Sequence, residues 1–253
     1  MTRLRSTAIC VLVAGMLAVP ATGLAIDLDN PDLFGPGEGW DRPGSLAEGD
    51  SGPWVIRLQE RLIEAGFRPG DVDGVFDAVT LGAVYAFQKV HGLERDGIFD
   101  AEDWAALEAG LQIHLPPSEE HPDRVEVDLD RQVLFLVFDN EVESILPISS
   151  GNGEVYRGRA GRFVRANTPE GSYVFGRRID GWRISYLGGL YRPFYFLGGY
   201  AIHGSYNVPP YPDSHGCVRV ELHDMDYLVT RLQIGMPVHL YGIDVDRGDL
   251  LEA

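Results

Sequence analysis

The sequence has two cysteines in 253 residues, no cluster of lysine and arginine, and no apolar run long enough to span a membrane. Each absence narrows the function. Cys10 lies in an amino-terminal segment that export would remove, so Cys217 is the single thiol expected in the mature chain and cannot be half of an internal disulfide. A formal charge of -17 without a basic patch excludes nucleic acid as a partner, because a phosphate backbone is bound by clustered Lys and Arg that release its counterions. The apolar run at residues 8–19 is shorter than the roughly 20 residues that cross about 30 Å of hydrocarbon. No later segment comes close, so no membrane span is expected in the mature form. His91, His114, His121, His223 and His239 show no metal-ligand spacing with one another. The stretch Asp71-Val72-Asp73-Gly74 fails as a calcium loop, since its glycine comes too early and Gly82 stands where a glutamate is required. No cofactor is expected.

What is present begins with an export signature. Arg3 and Arg5 precede the apolar run, and Pro20 and Gly23-Leu24-Ala25 follow it, the layout of a secretory signal peptide over residues 1–25. Cys10 sits at the start of the run, which does not suit a lipid-modified cysteine at the processing site. The reading places the protein in the cell wall, the periplasm or outside the cell. With 45% hydrophobic residues, the chain can hold two small cores. Residues 26–52, rich in Gly, Pro and Asp, read as an exposed linker.

Helical periodicity follows. Ser51 is positioned to cap a helix carrying Val55, Leu58, Leu62 and Ala65 and closed by Gly66. Asp77 is positioned to cap a second, with Val79, Ala83, Phe87 and Val90 on one face and Gly92 at its end. Asp100 is placed to cap a third containing Trp104, Leu107 and Leu111. Asp73-Gly74-Val75-Phe76-Asp77 recurs as Asp96-Gly97-Ile98-Phe99-Asp100, each copy a glycine turn, an apolar plug and a helix cap. The expectation is a small three-helix all-α module over residues 53–111.

Leu115-Pro116-Pro117 through Pro122 breaks the pattern, making 112–122 a second linker. Beyond it, Val125, Val127 and Leu129 alternate with charged residues, and the continuous β-rich run Val133–Phe138 leads to an Asp139-Asn140 turn. Glycine-punctuated strands continue to Val238-His239-Leu240-Tyr241. A mainly β domain is expected over 123–242, with 243–253 as a tail.

That domain holds the chemistry. Ile202-His203-Gly204 stands upstream of Ser214-His215-Gly216-Cys217-Val218-Arg219, which concentrates one thiol and two imidazoles in a short stretch. A thiol near its free pKa of about 8.5 needs a base or a positive environment to act as a nucleophile at neutral pH. His215, two residues from Cys217 on a tight turn, is poorly placed for that task, whereas His203 can approach from a neighbouring strand. The amides of His215, Gly216 and Cys217 offer donors for an oxyanion. Together these suggest acyl transfer through a thioester. A zinc site from His203, Asp213, His215 and Cys217 is the metal alternative, with an unusual His-x-Cys geometry on one turn.

Two resemblances sharpen this reading. The repeat, with Val55-Ile56-Arg57-Leu58-Gln59 and Ala86-Phe87-Gln88, resembles the peptidoglycan-binding module of the first type over about residues 52–111. The His-Gly and Ser-His-Gly-Cys-Val-Arg pair resembles the catalytic motif of the L,D-transpeptidases, the YkuD-type wall enzymes. Pro147-Ile148-Ser149-Ser150-Gly151 and Asn167-Thr168-Pro169-Glu170-Gly171-Ser172 extend that likeness over the whole second domain, implying a YkuD-like β-sandwich. The resemblance makes Cys217 the nucleophile and His203 the general base, oriented by the Gly204 carbonyl. His215 and Gly216 become supporting and oxyanion residues, Ser214 a brace, and Arg219 a brace or a partner for a substrate carboxylate. The implied partners are peptidoglycan stems, a tetrapeptide donor and an amine acceptor joined in a 3-to-3 cross-link. With water as acceptor, the same residues make an L,D-carboxypeptidase; a wall-binding protein with a vestigial site is the non-enzymatic alternative. Between His203 and Ser214 the spacer is short and stiffened by Pro209, Pro210 and Pro212. Trp182, Tyr186, Tyr191, Phe194, Tyr195 and Phe196 divide between core and a wall over the groove. An activated Cys217 is expected to react with thiol reagents well below its free pKa.

Overall fold

The computed structural model describes residues 44–110, 112–113, 115, 118–158, 161–242 and 251–252. The expected signal segment at 1–25, most of the 26–52 linker, part of the 112–122 connector and most of the 243–253 tail lie outside the described residues.

The first part of the chain is helical: α1 (Pro53–Glu64), α2 (Ala78–His91) and α3 (Ala101–Ala109). Asp77 caps α2 by accepting the amides of Val79 and Thr80 at 2.9 and 3.0 Å, and Gly92 ends it at φ 69°. Asp100 and Asp103 form a reciprocal capping box on α3. The expected Ser51 cap of α1 is not formed. Gly52 takes the cap position, and Pro53 opens the helix, where its missing N–H costs no bond. Val55, Leu58 and Leu62 are buried as expected, whereas Ala65 is exposed.

The repeated pentapeptide is built twice on one plan. Gln59 on α1 donates to Asp73 and to the Val75 carbonyl, at 3.1 and 3.2 Å, and accepts the Gly74 amide at 2.9 Å. Gln88 on α2 makes the matching bonds to Asp96, Ile98 and Gly97, at 3.1, 3.1 and 3.0 Å. Both glycines lie at φ 74°, where an L side chain is strained, and Phe76 and Phe99 plug the core completely.

The rest is a β-sandwich. One sheet has the order β3-β2-β1-β10-β4, from β1 (Arg124–Asp128), β2 (Val133–Phe138), β3 (Glu141–Pro147), β4 (Gly171–Val174) and β10 (Pro237–Tyr241). The other runs β5-β7-β8-β9, with β6 also paired to β7. Its strands are β5 (Arg177–Arg178), β6 (Trp182–Ser185), β7 (Gly188–Leu197), β8 (Tyr200–Gly204) and β9 (Val218–Val220). Helix α4 (Leu222–Arg231) follows β9 directly. Asp139 and Asn140, at φ 50° and 67°, make the tight β2–β3 turn, a conformation that Asn and Asp tolerate.

Strand β2 is apolar at every position because both of its faces are buried. Leu134 and Leu136 point into the sandwich core with Leu146, Phe194, Ile202, Val218 and Met225. Val133, Phe135 and Val137 point the other way and share a core with Leu62, Phe67, Phe87 and Trp104 of the helical module. The module also adds a main-chain bond to the edge strand, the Ile145 amide donating to the Gly66 carbonyl at 2.9 Å. In strand β1 the charged residues that alternate with Val125 and Val127 are buried as well. Arg124, Glu126 and Asp128 lie opposite Val137, Phe135 and Val133 on the module side and are buried there, Arg124 donating to Glu126 at 2.7 Å. A paired buried charge is tolerable where a single one is not.

Sharing one core, the helical module and the sandwich should unfold together. Calorimetry on the chain is expected to show one transition, and Phe135→Ala to lower its stability by about 3–5 kcal/mol. Two separable transitions would contradict the coupling.

Candidate active site

Strands β8 and β9 run parallel, with Ile202 opposite Val218, His203 opposite Arg219 and Gly204 opposite Val220. Ile202, Val218 and Val220 are fully buried in the sandwich core. Side chains alternate across a strand, so His203, Arg219 and the residue before β9, Cys217, present themselves on the opposite face. All three line one cavity of about 600 Å³.

His203 Nδ1 lies 2.9 Å from the Gly204 carbonyl oxygen, which can only accept, so Nδ1 carries the proton and Nε2 is left with a free lone pair. The close fit around Gly204 requires glycine, since a Cβ there would stand 2.9 Å from Tyr191 and 3.1 Å from Met225 on α4. The turn before Cys217 is held by Ser214, whose hydroxyl donates to the Cys217 carbonyl and accepts the Gly216 amide at 3.0 Å. That second bond corrects the expected oxyanion set: the Gly216 amide is engaged, leaving those of His215 and Cys217 as candidates. Gly216, at φ 125°, is pressed against the Asn167 carbonyl and the Tyr200 ring, where an added Cβ would come within 2.8 and 2.7 Å.

The two flanking motifs fasten this turn. Ser149 exchanges both main-chain bonds with Arg219 at 3.0 Å. Its hydroxyl donates to the Tyr211 carbonyl at 2.8 Å and accepts the Asp213 amide at 3.0 Å. The Ser150 carbonyl accepts the Ser214 amide at 2.8 Å, and Thr168 bridges the Gly151 amide to the Gly216 carbonyl at 2.8 and 2.9 Å. Gln132, buried at φ 62°, grips Ser150 through both ends of its amide, at 2.7 and 2.8 Å. Sequence reasoning missed Gln132; a glutamine in a turn carries no signal until its left-handed backbone and its partner are visible.

Arg219 donates to Asp213 at 3.0 Å, and Asn207 donates to the same carboxylate oxygen at 2.8 Å. Arg219 therefore braces the proline-rich loop, while its guanidinium also borders the cavity. The Asp213 carboxylate is committed to this pair. His215 is exposed, edge-on to Tyr156 with ring centroids 4.7 Å apart. Of the aromatic stretch, Tyr186 and Tyr195 line the cavity, Phe194 and Phe196 belong to the core, and Trp182 stacks on Tyr206 at 5.5 Å. Arg177, over the Tyr195 ring at 3.8 Å, and Arg183 join Arg219 around a cavity that, among the described residues, is lined by three arginines and no Asp or Glu.

Burial dominates the electrostatics. It pushes His203 down to about 4, with the Gly204 bond opposing and the Arg219 charge adding to the shift. Burial also pushes the Cys217 thiol up, against smaller lowering effects of the Ala201 amide and Arg219. The thiol lies 3.8 Å from the Gly199 carbonyl, a distance at which a protonated sulfur donates. Both shifts favour a neutral pair, against the expectation of a thiol already activated below its free pKa.

Residues 122–240 match the family model for the L,D-transpeptidase catalytic domain, and residues 51–107 that for a peptidoglycan binding domain. An L,D-transpeptidase structure from Xylanimonas cellulosilytica is 43% identical, with a TM-score of 0.75, over 79% of this chain and 98% of that one. The chain belongs to the L,D-transpeptidase family. An uncharacterized protein of Kitasatospora aureofaciens is 35% identical over 107 residues, which are 42% of this chain and 90% of that protein. A Bacillus cereus spore cortex-lytic enzyme is 46% identical over 57 residues, which are 22% of each protein.

The neutral pair sets two expectations. Alkylation of Cys217 by iodoacetamide in the free L,D-transpeptidase should rise with pH through a midpoint above the ordinary thiol value; a plateau already at pH 6 would contradict it. Because the folded His203 binds its proton more weakly than the unfolded one, stability should fall as pH drops from 6.5 toward about 4. Urea unfolding of wild type and His203→Gln reads that slope, which the variant should lose in part.

Proposed function

We propose that this protein is an exported L,D-transpeptidase that forms 3-to-3 peptidoglycan cross-links through a thioester on Cys217. The observation that carries the reading is the placement of His203 and Cys217 on one face of two adjacent parallel strands, in one cavity, with the His203 Nδ1 proton committed to Gly204.

The steps follow from a neutral pair. As Cys217 Sγ attacks the carbonyl that precedes the terminal D-residue of a tetrapeptide stem, its proton passes to His203 Nε2. The negative charge that develops on the carbonyl oxygen is met by the amides of His215 and Cys217. Collapse of the tetrahedral intermediate breaks the C–N bond, and His203 returns the proton to the departing amine, releasing D-alanine. His203 then takes a proton from the amine of a second stem as that amine attacks the thioester, and gives it back to the sulfur. Among the described residues the lining holds three guanidiniums and no carboxylate, which suits a donor that ends in a carboxylate. Export follows from the amino-terminal signature, and the helical module is proposed to hold the enzyme on the wall polymer, raising the local concentration of stems.

The assignment is tested by incubating residues 26–253 with disaccharide tetrapeptide beside Cys217→Ala and reading the products by mass spectrometry. The expected result is a cysteine-dependent dimer with loss of D-alanine. Tripeptide alone would move the assignment to L,D-carboxypeptidase, and no change to a non-catalytic wall binder. Donor affinity should also weaken with added salt, since the cavity's attraction is carried by partly exposed arginines.

A further inference from the structure

The least expected side chain outside the cavity is Lys89. It lies on α2 of the peptidoglycan-binding module and is 1% exposed, and its ammonium nitrogen donates to the main-chain carbonyl of Ile148 at 2.9 Å. Burying a lysine is costly, and no cross-strand or capping role in the module calls for it. The acceptor is informative. Ile148 directly precedes Ser149 and Ser150, whose backbone and side-chain bonds hold Asp213, Ser214 and Arg219 on both flanks of Cys217.

We propose that Lys89 is a positioning residue for the catalytic turn, and that the peptidoglycan-binding module is therefore a working part of the active site as well as an anchor. The bonded path is short. Lys89 fixes the Ile148 carbonyl; Ser149 fixes the main chain of Arg219; Ser150 fixes the Ser214 amide; and Ser214 fixes the Cys217 carbonyl. A second contact runs the same way. Arg95, in the segment after α2, donates to the Pro210 carbonyl at 3.4 Å and to the Asp130 carbonyl at 3.3 Å, at the loop that leads into Asp213 and beside the turn that carries Gln132. The module thus touches both supports of the nucleophile.

The charges around Lys89 fit a fixed strut. Burial pushes its pKa down to about 7, the Arg95 charge lowers it further and the half-buried Glu221, between β9 and α4, raises it. A lysine donates a hydrogen bond as ammonium or as amine, so the contact with Ile148 survives that titration.

The proposal rests on the reading of Cys217 as the nucleophile, and its test separates the two. In the full chain, Lys89→Met keeps the volume and removes the donor; because it leaves the Ile148 carbonyl without its partner, Tm is measured beside kcat and activity is compared for the folded protein. The expected result is a loss of about tenfold in kcat with KM within about twofold, and a Cys217 alkylation rate altered at fixed pH, as a displaced nucleophile requires. Phe67→Leu, which loosens the shared core without touching Lys89, should lower Tm and leave kcat of the folded protein unchanged. If Lys89→Met does not fold, Lys89→Gln, whose amide is too short to reach Ile148 in place, is expected to show the same loss of kcat. A folded Lys89 variant with wild-type kcat and alkylation rate would overturn the proposal, as would an equal loss of kcat in Phe67→Leu. If wild type forms no cysteine-dependent product, the transpeptidase reading falls, while the alkylation rates still show whether Lys89 places the turn.

Discussion

The pair of main-chain bonds between Ser149 and Arg219 is the joint on which the site depends. Ser149 continues from β3 of one sheet and Arg219 lies in β9 of the other, so the two bonds tie the sheets together next to Cys217. From that joint the remaining supports branch: Ser150 and Gln132 on one side, Ser214 and Thr168 on the other, with Asp213 and Asn207 holding the Arg219 side chain. The β8–β9 ladder brings the thiol and the imidazole side by side, and this joint fixes that ladder to the other sheet.

Seating the imidazole in a buried position, with a partly buried thiol on the same cavity wall, has an electrostatic consequence. Burial disfavours both charged forms, lowering the imidazole and raising the thiol, which favours a proton kept on sulfur. In the proposed reaction, transfer to His203 accompanies arrival of the substrate carbonyl, as the developing charge passes to the oxygen. A neutral thiol in a cavity bordered by tyrosines is also a poorer target for adventitious alkylation than a standing thiolate.

Much of this could be read from the chain. The Asp77 and Asp100 caps, the twin glycine turns and the Asp139-Asn140 hairpin are local devices, and local chemistry decides them. The Cys217 and His203 neighbourhood was legible because glycine spacing and residue type together restrict what a short loop can present. Ser51 failed as a cap because its neighbours Gly52 and Pro53 already set the start of α1. The burial of Arg124, Glu126 and Asp128 was not legible because nothing in a strand's own pattern says that a second module covers its polar face. The engaged Gly216 amide, the grip of Gln132 and the buried Lys89 depend on contacts between segments far apart in sequence, which periodicity does not carry.

The central claim is that Cys217, assisted by His203, takes the acyl group of the donor. It is tested most directly by quenching a single turnover on the tetrapeptide donor without an acceptor amine and measuring the intact mass of the protein. The account predicts one added acyl tripeptide unit, located on the peptide that contains Cys217, absent in Cys217→Ala and slow to form in His203→Ala. Product formation by Cys217→Ala, or an adduct on any other residue, would contradict it.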